Sequence, residues 1–191
     1  GGRRRANLVR EPHSNAFDLY QTRLEGRGDW GRVEATLARI DHDFVSRYDA
    51  SPAMALFGSN ARIGALDDRR MIDLAVTDIS YASPRDRKLR WLTGLFASRV
   101  TTSNEAEMTA LWPVRSRVYE ERRVDHQSEN AIFGQVTYDL NDDISLIAGG
   151  RYYSFDYETI SHVAQGAAER PFRGRGRNSG FSPRLAVDWR M

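Results

Sequence analysis

The chain has 191 residues, with 28 Lys and Arg against 26 Asp and Glu, and it contains no cysteine. A net charge of +2 gives no field that would drive it onto a polyanion, which disfavours a dedicated nucleic-acid binder. The lack of cysteine excludes disulfides and thiol catalysis, and no apolar run approaches the ~18 residues that a transmembrane helix needs.

Seven stretches rich in β-prone residues are predicted as strands, and no strong helical periodicity competes with them. They cover residues 16–25, 30–48, 70–82, 88–102, 118–140, 144–157 and 181–191. Turn residues cluster at 26–29, 83–86 and 141–143, and each cluster predicts a tight hairpin turn.

Three longer polar stretches alternate with these tight turns. Residues 50–68, 103–115 and 161–180 are predicted as long loops, the second with a helical turn over 105–110. Short turns that alternate with long loops are typical of a transmembrane β-barrel, whose strands need apolar residues at alternate positions only.

The last strand alternates most regularly. Apolar residues at odd positions share one face, from Phe181 through Leu185, Val187 and Trp189 to Met191, and Arg184, Asp188 and Arg190 share the other. Similar alternation is present in residues 20–25, 33–37 and 144–152. The fourth strand is less regular, because its apolar positions 92 and 96 share a face with position 90, an arginine.

Strand length and aromatic placement point the same way. Residues 30–48 and 118–140 have no strong breaker, so each predicted strand is longer than the ~9–11 residues in which a tilted strand crosses a bilayer. Such strands would project beyond the membrane. Five aromatic residues lie beside the tight turns or at the same end of the strands, as an interfacial belt requires: Trp30, Tyr81, Trp91, Tyr138 and Trp189.

Other candidate chemistry is weak. The four histidines, at positions 13, 42, 126 and 162, lack the spacing of metal ligands, so no metal site is predicted. Arg173–Asn178 alternates arginine with glycine, but no helix follows it, as a dinucleotide loop would require. We interpret it as part of an outer loop able to contact anionic lipopolysaccharide or an anionic ligand. No catalytic motif and no cofactor site are predicted.

Three segments resemble the barrel of TonB-dependent outer-membrane receptors. The hairpin NAIFGQVTYDLNDDISLIAGGRY (130–152) is followed by the strand FSPRLAVDW (181–189), as is usual in that family. Upstream, DISYASP (78–84) with LRWLTGLF (89–96) is similar to another hairpin of the family. Departures are Gly150, where an apolar residue is usual, and Ser80, where arginine is usual. The resemblance covers most of residues 16–191, in the family's order.

The resemblance implies an all-β antiparallel meander of about seven long strands, part of a large barrel of about 22 strands in the outer membrane of a Gram-negative cell. We expect residues 1–12 to be a disordered or loop lead-in. Residues 13–191 would be an internal piece of the barrel, with the plug domain and the terminal strand outside this segment. No enzymatic activity is expected.

The implied function is active import of a scarce nutrient, most readily a ferric siderophore, powered by TonB acting through the plug. Outer-membrane lipid, TonB and a small-molecule ligand would be the partners, and nucleic acid would not. Charged residues on the polar face are candidate ligand contacts, or they pair with one another or with the plug: Arg23, Glu25, Glu34, Arg151, Arg184 and Asp188. Two alternatives remain, a soluble all-β binding module and a passive porin-like channel.

Overall fold

The described part of the chain forms one antiparallel sheet of seven strands. The computed structural model describes residues 7–190, so residues 1–6 of the predicted lead-in and Met191 of the last predicted strand lie outside the described residues. The strands are β1 (His13–Gly28), β2 (Gly31–Asp49), β3 (Ile63–Ala82), β4 (Leu89–Trp112), β5 (Ser116–Asp139), β6 (Ile144–Gln165) and β7 (Ala168–Trp189).

Each strand pairs with its neighbours in sequence, in the order β1 to β7. The predicted all-β meander is therefore confirmed, and so are its three tight turns. The first turn needs glycine, because Gly31 has φ of 124° and an ideal Cβ there would lie 2.3 Å from the Ala82 carbonyl oxygen. In the third turn, Asn141 Oδ1 accepts N–H bonds from Asp143 and Ile144, at 3.0 and 2.7 Å, and so fixes the hairpin.

The predicted long loops over 103–115 and 161–180 are wrong. β4 runs to Trp112, β6 ends at Gln165 and β7 begins at Ala168, so only short turns join these strands. The helical turn predicted over 105–110 is likewise strand. Strands that project beyond the lipid have water on both faces and lose the apolar alternation that marks a strand, so their polar composition resembles that of a loop.

Among residues 7–190, a long connection is present only after β2. It holds a 3₁₀ helix, Ser51–Phe57, whose Met54 is 1% exposed. With Ala50, Met108 and Ala110, Met54 forms a small hydrophobic core at this end of the sheet. Gly64 leaves the space for it, since an ideal Cβ on Gly64 would lie 2.3 Å from Met54 Cε. The connection is thus packed onto β3 and β4.

The two faces of the sheet differ in exposure. On β5, Ile132 is 54% exposed and Val136 44%, whereas the neighbouring Ala131 is 7% exposed and points to the other face. We call the face of Ile132 the outward face and the face of Ala131 the inward face. Within residues 7–190 no helix is long and apolar enough to cross a membrane.

Candidate functional site

The outward face carries a continuous apolar band next to the tight turns. One row of the band crosses the whole sheet in register: Leu24, Ala35, Ile79, Leu95, Ile132, Tyr152 and Phe181. Most of these side chains are about half exposed. A sheet that presents so much apolar surface needs an apolar solvent on that side.

The height of the band matches a bilayer. On β4 the outward side chains run from Leu89 to Ala97, nine residues that carry no outward charge, and Arg99 is the first outward charge above them. A tilted transmembrane strand crosses the hydrocarbon in ~9–11 residues. Beyond Arg99 the strand continues to Trp112, so about half of β4 projects past the band.

Aromatic side chains cluster at the turn end of the band. The rings of Trp30 and Tyr81 stack at 6.1 Å, and the rings of Tyr81 and Trp91 lie 4.7 Å apart. The Tyr81 hydroxyl also donates to the Trp30 carbonyl oxygen. Rings with an apolar body and a polar edge favour the boundary between lipid and water.

On the inward face, charged side chains near the turns pair with one another. Arg23 lies 2.8 Å from Glu34 and 4.0 Å from Glu25, and Arg32 lies 3.0 Å from Glu25 and also contacts Glu34. Arg27, at the end of β1, contacts Glu25 as well. Three of the predicted site residues, Arg23, Glu25 and Glu34, therefore form one ion-paired network that sequence reasoning did not resolve into pairs.

The remaining predicted residues lie further along the sheet. Arg151 bonds to Glu129, and its guanidinium lies 5.1 Å from the centre of the Phe96 ring, in cation–π contact. Arg184 pairs in register with Gly149, and Asp188 with Ser145, both on the exposed strand β7. All six predicted residues face inward, but the structure brings only the first three together.

Higher on the inward face is a second group, which the sequence interpretation had assigned to loops or strand ends. One register row holds Phe44, Arg70, Arg123 and Phe172, and Tyr157 lies two rows below on β6. The Tyr157 hydroxyl donates to Asp125 at 3.0 Å, and Arg123 lies 3.3 Å from that carboxylate. Arg70 has no acidic partner within 4.0 Å among the described residues, and its Nε donates weakly to Asn104 at 3.5 Å. No apolar alternation marks these polar strand ends, so no signal in the sequence could have revealed this face.

Two further polar features surround this group. Burial raises the pKa of Tyr119 to about 12, and a hydrogen bond to Glu121 acts in the same direction. Asp41 and Asp43 face outward, whereas His42 faces inward and contacts Asn15 at 2.6 Å, so these three side chains do not converge. In the part of the chain that the structure describes, no three His, Asp or Glu side chains gather as a metal site.

An apolar outward band, a charged inward face and strands joined as a meander define the wall of a transmembrane β-barrel. The family of TonB-dependent receptor-like β-barrels matches residues 3–191, so the chain belongs to this family and to the outer membrane. The resemblance seen in the sequence is confirmed, and the soluble module is excluded. No curated protein sequence matches this chain.

Among solved structures, the chain is similar to the ferric yersiniabactin uptake receptor FyuA from Yersinia pestis. The TM-score is 0.82 at 12% identity, and the match covers 97% of this chain. At that identity the likeness shows the fold alone. The chain spans only 28% of the FyuA chain, so its seven strands correspond to a part of that receptor.

Proposed function

We propose that residues 13–191 form part of the barrel wall of a receptor that imports a scarce nutrient by TonB-dependent active transport, and that the nutrient is a ferric siderophore. The observation that carries the proposal is the inward face, with ion-paired charges near the turns and, above them, Arg70, which has no acidic partner among the described residues and lies in register with Phe44. The activity is transport, not catalysis. TonB would act through a plug domain encoded outside this segment.

The inward charges near the turns suit contact with a plug. Arg23, Glu25 and Glu34 satisfy one another, so they need no counter-ion from a ligand. Arg184 and Asp188 lie at the same end of the inward face, where they can pair with a plug surface. We propose that these residues and Arg151 hold the plug or guide a released ligand past it.

The upper group suits capture of the ligand. Arg70 can donate hydrogen bonds to an anionic chelate, and the rings of Phe44 and Tyr157 can pack on aromatic chelating groups. Asp68 and Glu121 lie in the row above, and Arg123 is already within 4.0 Å of Glu121 and Asp125, so the arginine available to an anion is Arg70. FyuA is named as a receptor for one ferric siderophore, which is consistent with this class of ligand.

The experiment measures accumulation of radioactive iron in cells that lack their own siderophore receptors and express the full-length receptor. A panel of ferric catecholate, phenolate and hydroxamate chelates is supplied with and without TonB. We expect at least one chelate to accumulate only when TonB is present. Accumulation that does not need TonB would favour the porin-like channel, and no accumulation of any ferric chelate would contradict the siderophore proposal.

Neighbouring arginines on opposite faces make a matched pair for the same assay. Arg70→Ala should raise the chelate concentration for half-maximal uptake about five- to tenfold, because it removes charge-assisted hydrogen bonds. Arg69→Ala should leave uptake unchanged, since Arg69 faces outward and pairs with Asp43 at 3.2 Å. Equal effects of the two substitutions would argue against ligand capture on the inward face.

A further inference from the structure

A groove of about 650 Å³ lies on the sheet immediately above the apolar band, mainly on its outward side. Its outward lining includes three arginines from β4 and β7, namely Arg99, Arg175 and Arg177, together with His126. The register places Arg99, Ser128, Asp156 and Arg177 in one row, two residues above the last apolar row of β4. This position is the level of lipid headgroups, not of the transport pathway.

The charges of the groove are only partly neutralised. Glu158 is shared between Arg173, at 2.7 Å, and Arg175, at 3.0 Å, and the hydrogen bonds from these two arginines lower its pKa. Asp156 lies 3.4 Å from Arg177, whose side chain is 76% exposed. Arg99 has no acidic partner within 4.0 Å among residues 7–190.

Two carboxylates cannot occupy the donors of four guanidinium groups, each of which carries five N–H bonds. The free donors lie two outward rows above apolar side chains that meet acyl chains, among them Leu95, Ile132 and Phe181, and the row between holds Ala97, Asn130, Ser154 and Ser179. Guanidinium groups bind phosphate in bidentate geometry, and basic pockets at the membrane surface bind anionic headgroups. The guanidinium groups therefore suit the phosphate of a phosphorylated lipid, and the apolar side chains below them suit its acyl chains.

We propose that this groove binds the phosphorylated headgroup of an outer-leaflet lipid, with Arg99 and Arg177 as the principal phosphate ligands. The site lies on the outside of the wall, so the proposal goes beyond transport and does not depend on which nutrient is imported. It also gives a role to the Arg–Gly alternation of residues 173–177, which places arginines 173, 175 and 177 on one face of β7.

An outward arginine on β2, in the same register row, provides a control. Arg39 faces outward at the same height as Arg99, but it contacts both Asp41 and Asp73. Its surroundings are acidic, with Asp18 paired in register to Asp41. Arg39 therefore has the same depth and side-chain type, but two carboxylates neutralise it, and it should not retain lipid phosphate.

The test uses the full-length receptor in detergent, with the diphosphorylated glycolipid lipid A as probe and native mass spectrometry as readout. Combining Arg99→Gln with Arg177→Gln should lower the retained lipid A about tenfold or more, because charge-assisted hydrogen bonds are lost. Arg39→Gln should retain it as the unmodified receptor does. Heat-modifiable mobility on gels checks that each variant is folded, and Arg177→Gln alone, at an exposed position, serves if the double variant fails to fold.

Two results would overturn the proposal. One is equal retention of lipid A by the Arg99/Arg177 variant and the Arg39 variant. The other is displacement of lipid A by millimolar inorganic phosphate, which would make the groove a site for free phosphate. Iron uptake is measured separately, so loss of lipid retention with normal uptake distinguishes this site from the transport function.

Discussion

Gly149 of β6 approaches the backbone of β5 so closely that an ideal Cβ would lie 2.6 Å from the carbonyl oxygen of Gly134. The Cα of Gln135 would lie at 3.0 Å from the same Cβ, so both obstacles are backbone atoms that cannot turn away. Glycine at position 149 is therefore what lets the two strands come together at this point of the wall.

We expect Gly149→Ala to destabilise the folded barrel by about 1–3 kcal/mol, since the backbone must shift to admit a methyl group. Gly150→Ala is the matched control. The Phe181 ring covers Gly150, with Cζ 2.4 Å from an ideal Cβ, but this ring faces lipid and can rotate away. Urea unfolding of the full-length receptor in vesicles measures both, and similar costs at the two positions would contradict the account.

The apolar band predicts a large cost for charge on the outward face only. Leu95→Arg places a cation in the apolar row that crosses the whole sheet, where the expected cost is up to about 2–4 kcal/mol, the value for the bilayer midplane. Ser98→Arg, on the inward face of the same strand, lies in register with Glu129 and should be nearly neutral. The folded fraction on unheated gels measures the effect, and a Ser98→Arg variant as damaged as Leu95→Arg would refute the assignment of faces.

The connection after β2 should open when its buried methionine is truncated. Met54→Ala removes the side chain that fills the space over Gly64, and we expect a local loss of about 2 kcal/mol or more. Trypsin cleavage after the exposed Arg62 should become faster. Leu56→Ala, on the same 3₁₀ helix but 82% exposed, should leave the cleavage rate unchanged. An unchanged rate in Met54→Ala would show that Met54 does not hold this connection.

Acid should release the segment before β1. Asp49 accepts N–H bonds from Leu8 at 2.6 Å and Ser51 at 3.0 Å, and hydrogen bonds from Ser51, Leu8 and Val9 lower its pKa below the ordinary 3.8. A lowered pKa means that the stabilisation is complete above the ordinary value and is lost as the pH falls through the folded-state pKa.

Cleavage within residues 7–12 by an acid protease should therefore rise only below about pH 3.8. In Asp49→Asn the carboxylate is absent at every pH, so cleavage after Arg10 by trypsin should already be faster at neutral pH. A variant that resists trypsin as well as the natural chain does would show that Asp49 is not the anchor of this segment.

Sequence reasoning succeeded where lipid imposes a pattern and failed where it does not. Apolar and polar residues alternate over 181–189 because one side meets lipid tails, so the face of each residue could be predicted from the sequence alone. Residues 103–112 and 168–180 are equally strand, but water on both sides removes the alternation and leaves a composition like that of loops.

For the candidate site, the face of each residue was predictable from the sequence, but its partners were not. The inward direction of Arg23, Glu25 and Glu34 followed from alternation, whereas their pairing needed the register of β1 with β2. Arg70 and Tyr157 were missed as a group because 86 positions separate them in sequence, and only the order of the sheet places them on the same inward face.

Alternation of lipid and water along one strand is the central claim, and spin labels test it most directly. This segment has no cysteine of its own, so single cysteines at positions 93, 95, 96, 97, 98 and 100 of β4 can each carry a label in the full-length receptor. Labels at 93, 95 and 97 should be relaxed by oxygen, which concentrates in lipid, and labels at 96, 98 and 100 should contact the plug or a water-soluble nickel reagent. Equal oxygen accessibility at all six positions would contradict the account.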